Sequence, residues 1–93
     1  MREKQLEQKL AAAVRNAGGR ALKFVSPGFD GIPDRIVLLP GGKIGFVEVK
    51  AIGYKPRPLQ LQRHEMLRRL GFEVFVLDDK EQIGGIICAI QSA

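Results

Sequence analysis

Cysteine and histidine each occur once in the 93 residues, and no apolar run approaches the length of a membrane span. A single cysteine excludes an internal disulfide. Cys88 sits in the apolar stretch Ile86-Ile87-Cys88-Ala89-Ile90, where a buried structural thiol is expected in preference to a nucleophile. The start, Met1-Arg2-Glu3-Lys4-Gln5, is charged and no long apolar segment follows it. Neither a signal peptide nor a transmembrane helix is expected, and a cytoplasmic chain without a membrane partner is. Internal repeats, low-complexity tracts and linkers are also missing, so residues 1–93 read as one domain with one core and one site.

Apolar residues make up 45% of the chain and charged residues 27%, a globular balance far from that of a disordered segment. Fifteen Lys and Arg against ten Asp and Glu leave a net charge of +5. Such an excess suits a polyanionic partner without proving one. Lys50, Lys55, Arg57, Arg63, Arg68 and Arg69 gather in the middle of the chain, although the last three also read as a solvated helix face.

Leu6, Leu10, Ala13, Val14 and Ala17 recur at helical spacing before Gly18-Gly19, which predicts a helix over 3–17. Ala21 to Val25 reads as a short strand, and Ser26 to Pro33 as a loop dense in turn residues. The strands 35–39 and 43–50 flank Pro40-Gly41-Gly42 as an antiparallel hairpin. Pro58 suits the first position of a second helix that stops at Gly71, and Phe72 to Leu77 is a further strand. In the tail Ile83, Ile86, Ile87 and Ile90 keep helical period against the opposition of Gly84-Gly85, and a helix is expected there. The order is α/β. Ile36, Leu38, Ile44 and Phe46 fall on one face of the hairpin, and Val37, Leu39, Val47 and Val49 on the other. Two apolar faces need helices on both sides.

A three-residue turn pairs Leu39 with Lys43, and counting back along both strands sets Asp34 opposite Glu48. Their Cβ atoms are then expected roughly 4.5–5.5 Å apart, with Lys50 on the same face. Opposed carboxylates repel, whereas a divalent cation between them reverses the sign. Mg²⁺ commonly takes one or two protein carboxylates and keeps several waters. The competing reading is a polar strand end where Lys50 pairs with Glu48. Glu7 shares a helical row with Glu3, Leu10 and Val14 and is expected inward or at the rim. Glu3 better fits an ordinary N-terminal acid favoured by the helix dipole. Gln60 and His64 are four apart and share a face toward the same site, and His64 is expected partly buried or in contact with a phosphate before any catalytic or metal role.

Gly31-Ile32-Pro33-Asp34-Arg35 followed by Phe46-Val47-Glu48-Val49-Lys50 resembles the PD-(D/E)xK nuclease signature. With Pro58-Leu59-Gln60 and His64 the likeness narrows to the virus-type replication-repair nuclease, or VRR-NUC, domain, in a short stand-alone form. The resemblance spans Glu3 to about Asp78. It implies a restriction-endonuclease-like αβββαβ core, with a mixed sheet between helices, and Mg²⁺- or Mn²⁺-dependent cleavage of phosphodiester bonds. It further implies that Asp34 and Glu48 bind metal with the Val49 carbonyl, that Lys50 orients water or stabilises phosphorane charge, and that Glu7 and Gln60 complete the site. No organic cofactor is implied. Lys55, Arg57, Arg63, His64 and Arg35 are the candidate DNA contacts, and a bacterial or phage-infected cell is the implied setting.

An accessory DNA-binding module with a decayed site and an RNA-processing nuclease are the alternatives. The intact Asp34, Glu48 and Lys50 oppose the first, and positive charge alone permits the second. A homodimer acting on branched or four-way-junction DNA is expected, with Ile83 to Ile90 as its candidate contact.

Overall fold

The computed structural model describes residues 1–93. Its elements run α1 (Glu3–Asn16), β1 (Arg20–Lys23), β2 (Arg35–Leu39), β3 (Lys43–Val49), α2 (Pro58–Arg69), β4 (Glu73–Leu77), a 3₁₀ turn (Lys80–Gln82) and α3 (Ile83–Ser92). The sheet order is β1-β2-β3-β4. The first three strands are antiparallel neighbours, and β4 runs parallel to β3 after the α2 crossover. A parallel return needs such a crossover, and the Lys50–Phe72 segment supplies it. Helix α2 starts with Pro58 at a first-turn position, behind Arg57.

Leu39 pairs with Lys43 and Arg35 with Val47, the register expected from the turn. Pro40 leads into Gly41 and Gly42, whose φ values of 85° and 74° lie in the left-handed region that glycine enters without a Cβ clash. Alternation then sorts the side chains. Val37, Leu39, Val47 and Val49 join Leu6, Leu10 and Val14 of α1 and Ile83, Ile86 and Ile90 of α3 in the main core. On the opposite face Phe46 and Val74 meet Leu67 of α2, with Phe24, Ile36 and Met66 beside them. Both faces are covered, as the two apolar stripes require.

The tail is helical despite Gly84-Gly85. Ile83, Ile86 and Ile90 are buried in the core of one chain, which outweighs the propensity cost of two glycines. The expected dimer contact over Ile83 to Ile90 is therefore corrected, since those isoleucines are already used within the monomer. Cys88 is corrected too. It is exposed, because a helical period that sends 83, 86 and 90 inward turns 88 to solvent.

A Cβ at Gly84 or Gly85 meets nothing within 4 Å, whereas one at Gly45 stands 2.4 Å from Ile90 Cδ1 and 2.6 Å from its Cγ1. Gly84→Ala is expected to raise unfolding free energy by about 0.5–1 kcal/mol through backbone entropy. Gly45→Ala is expected to lower it by about 1–3 kcal/mol through overpacking. Urea titration of both variants checks the opposite signs.

Candidate active site

Asp34 precedes β2, Glu48 lies within β3 and Lys50 follows it. All three have the parity of Ile36 and Phe46, so they belong to the α2 face. Asp34 is fixed by its Oδ2, which accepts the Val49 N–H at 2.8 Å, and by its carbonyl, which accepts from Phe24 N–H at 2.9 Å. The hairpin thus closes onto itself through the carboxylate.

Glu48 is only 1% exposed, and both its oxygens are held from α2. Gln60 Nε2 donates to Oε2 at 3.1 Å. His64 Nε2 faces Oε1 at 3.2 Å. Gln60 is itself oriented by its Oε1, which accepts the Arg57 N–H at 2.8 Å, so one amide caps the helix and holds the acid. Burial pushes the Glu48 carboxyl up to about 8, with further upward pressure from its hydrogen bond and repulsion with Asp34 and from the charge of Glu3, while Lys50 opposes the rise. Two carboxyl groups this close keep a proton between them unless a cation takes its place.

His64 is buried to the same degree as Glu48. Burial lowers its pKa, and Arg68 adds to the effect, so the ring is neutral. With Nε2–H turned to the carboxylate, Nδ1 is a bare acceptor, and it has no hydrogen-bond partner. The expected phosphate contact by His64 is corrected, because a side chain with 1% exposure presents nothing to a phosphate.

Glu7 does not join these residues. Its Oε1 accepts from Arg35 Nε at 2.9 Å, while Arg35 also donates to the Ala21 carbonyl at 3.2 Å. Arg35 has the opposite parity to Asp34, and α1 packs on the opposite face from α2. Both expectations are corrected: Glu7 is an ion-pair partner across the core rim, and Arg35 is its counter-ion and no free DNA contact. The acid of α1 that lies toward the site is Glu3, whose Oε2 accepts from Ala51 N–H at 3.4 Å just past the end of β3. Its place in the first turn, beyond the sheet edge, lets it approach a group on the other face.

Lys50 makes no ion pair with Glu48; the ion pairs are Arg35–Glu7 and Arg69–Glu65, and the neutral His64 meets Glu48 through a hydrogen bond. Its backbone is anchored through N–H to the Leu77 carbonyl at 2.9 Å. Arg57 and Lys55 are exposed. Arg63 is engaged, donating to the Asp30 carbonyl at 2.8 Å and stacking 3.9 Å above the Phe29 ring. A cleft of about 430 Å³ is lined by Asp30, Gly31, Arg57, Leu59 and Gln60, and it meets the acids through Gln60, whose amide holds Glu48.

No group of three or more His, Cys, Asp or Glu side chains stands ready to enclose a metal ion. The donor set is two carboxylates, Glu48 buried and Asp34 partly exposed. That is a poor match for zinc, which prefers nitrogen and sulfur in a closed shell, and a good one for Mg²⁺ or Mn²⁺, which suit carboxylate oxygens and retain water. The residues fit the group.

No family model matches the chain. A protein of Acyrthosiphon pisum secondary endosymbiont phage 1, bearing the name "Putative nuclease p44", is 54% identical over 81 residues, which is 87% of each chain. A solved structure described as a VRR_NUC domain shares 37% identity and superimposes with a TM-score of 0.86 over 91% of this chain and 92% of that one. The same mixed sheet, the same flanking helices and near full-length similarity lead to one conclusion: the chain belongs to the VRR-NUC family.

Proposed function

We propose that the chain is a Mg²⁺- or Mn²⁺-dependent endonuclease that hydrolyses phosphodiester bonds in DNA, selecting branched substrates in replication, recombination or repair. That it is a nuclease follows from its family. The observation that carries the rest is Glu48, buried, held on both oxygens by Gln60 and His64, and set against Asp34. A structural role does not call for a carboxyl group at such desolvation cost.

Asp34 and Glu48 would hold the cation, with the Val49 carbonyl and Glu3 as further oxygen donors. When bound, the cation neutralises charge on the scissile phosphate and makes a nearby water more acidic. Gln60 and His64 act as positioning residues, holding both oxygens of Glu48 beside Asp34. Lys50, unpaired and at the strand end, places an ammonium group where charge builds on the transferred phosphate. Lys55 and Arg57 bind flanking phosphates, which positions DNA without reading sequence. A homodimer would present two such sites to a four-way junction, through a contact other than the buried isoleucines of α3.

A panel of uninterrupted duplex, flap, splayed-arm and four-way-junction DNA, with matching RNA, tests the reading in Mg²⁺, in Mn²⁺ and with chelator. Metal-dependent cuts in branched DNA are expected. Cleavage that persists in chelator, or confined to RNA, overturns it.

Phosphate contacts also predict a salt signature. Log affinity is expected to fall linearly with log salt, and Lys55→Glu or Arg57→Glu to weaken binding alike on all sequences, each reducing the slope by about one. Titration of two unrelated sequences checks this. Loss on one sequence only would assign these residues to base reading.

A further inference from the structure

Directly after Lys50 the chain makes a tight turn. Tyr54 N–H donates to the Ala51 carbonyl at 3.0 Å, and Gly53 has φ of 85°, the requirement of a type II turn at its third position. Its base is rooted in the sheet by the Lys50 N–H bond to Leu77. From this turn Ile52 projects 61% exposed and Tyr54 69% exposed. Single exposed apolar side chains are ordinary on a protein surface. Here two large ones stand within three residues, bracketed by Lys50, Lys55 and Arg57, on a turn that begins one residue past the proposed catalytic lysine. Another exposed aromatic ring, Phe29, is already covered on one side by Arg63. Tyr54 takes part in no aromatic or cation–π contact of the fold.

We infer that Tyr54, supported by Ile52, is a stacking platform for an unpaired nucleobase of the DNA strand held at the Asp34–Glu48–Lys50 site. This rests on the nuclease reading and deepens it: the substrate class is DNA with an unstacked or single-stranded nucleotide beside the bond that is cut. Charge complementarity favours this occupant over a second protein. Three cationic residues within four positions of an exposed aromatic ring offer phosphates partners beside a base face, the composition of sequence-tolerant single-strand binding. In an uninterrupted duplex no base face is available, so the ring contributes little. At a branch it gains a partner, and the same turn sets the distance from that base to the site.

The chain has one tyrosine and no tryptophan, so its intrinsic fluorescence reports on Tyr54 alone. Titration with splayed-arm DNA and with uninterrupted duplex, in Ca²⁺ to restrain cleavage, is expected to quench that emission with the splayed arm far more than with duplex. Tyr54→Ala is expected to weaken splayed-arm binding about tenfold and duplex binding less than about twofold, with Tyr54→Phe retaining wild-type affinity. Equal losses on both DNAs, no loss on either, or equal quenching by both overturns the inference. So does sedimentation showing that Tyr54→Ala turns a dimer into a monomer, which would assign the turn to a second copy of the chain. These readouts are of binding. Failure of the protein to cut any DNA would remove the nuclease reading alone, whereas efficient cutting by a protein indifferent to Tyr54→Ala on every DNA would remove the stacking inference alone.

Discussion

Asp34→Asn and Glu48→Gln are expected to abolish detectable cleavage while leaving the fold and most DNA affinity in place. Each substitution keeps the size of the side chain and one acceptor oxygen; in Glu48→Gln the new amide still accepts from Gln60, and the neutral His64 ring can switch tautomer so that Nε2 accepts from the new NH2. In Asp34→Asn the amide oxygen can still receive the Val49 N–H, and Glu48→Gln removes a carboxyl group that is costly to bury. What is lost is charge at one of the two paired carboxylates proposed to hold the cation, a loss that Glu3 and the Val49 carbonyl do not replace. A loss of at least about 10³-fold in single-turnover rate is expected, in the range of effects seen when one preorganised electrostatic group is removed. Lys50→Ala should differ in kind. It leaves Asp34 and Glu48 untouched, so metal binding persists, while the rate falls on the order of 10²–10³-fold because an ammonium group that matters in the transition state is gone. Cleavage of branched DNA under single-turnover conditions, beside metal titration of each folded variant, separates the two outcomes. If Glu48→Gln cuts at the wild-type rate in limiting Mg²⁺, the site lies elsewhere.

What can be read from the sequence divides along a physical line. Alternation within a strand and pairing across a tight turn are short-range rules. They set Leu39 against Lys43 and put Asp34, Glu48 and Lys50 on one face, with Gln60 and His64 sharing a face of the following helix. The same alternation assigns Arg35 to the opposite face from Asp34, where Glu7 and the Ala21 carbonyl engage it. Glu7 is harder to place. Helical period tells which residues share a stripe, but the sheet face beneath that stripe depends on where α1 docks, and only the tertiary fold sets α1 with α3 on the face opposite α2. Glu3 reaches the site because it sits at the helix start, past the sheet end, where neither face confines it. Composition signals little about His64: a single histidine among charged neighbours reads as a surface residue, and its burial arises from α2 lying over Glu48. The turn at Ala51–Tyr54 is silent for a related reason, since exposure of an apolar side chain is a tertiary fact.

Stability without metal is expected to fall as pH rises from about 5 to 8, and divalent cation to restore it most strongly at the alkaline end. In the folded chain the Glu48 carboxyl is pushed up to about 8 by burial first and by Asp34 second, against an ordinary value of 4.5. Between those values the folded state holds a proton that the unfolded chain has released. Because the native state binds more protons, unfolding free energy decreases with rising pH, by at most about 1.4 kcal/mol per pH unit for one group. The contribution is complete below the unfolded value and gone above the folded one. His64 acts oppositely at the acid end of the window. Its lowered pKa means that the unfolded imidazole gains a proton more readily than the folded one, which trims stability as pH drops below its ordinary value near 6.5. Cation and proton compete for the same pair of carboxylates, so Mg²⁺ binding should release protons at about pH 6.5 and few at about pH 9. Urea titrations of chelated protein from about pH 5 to 9, repeated with Mg²⁺, read the first effect, and calorimetry in two buffers of different ionisation enthalpy reads the second. Glu48→Gln is expected to flatten the alkaline limb and abolish proton release while unfolding as cooperatively as the wild type. A chelated wild-type protein as stable at about pH 8.5 as at about pH 5.5 would show that Glu48 is ionised before the metal arrives, and that no proton on it is displaced by the cation.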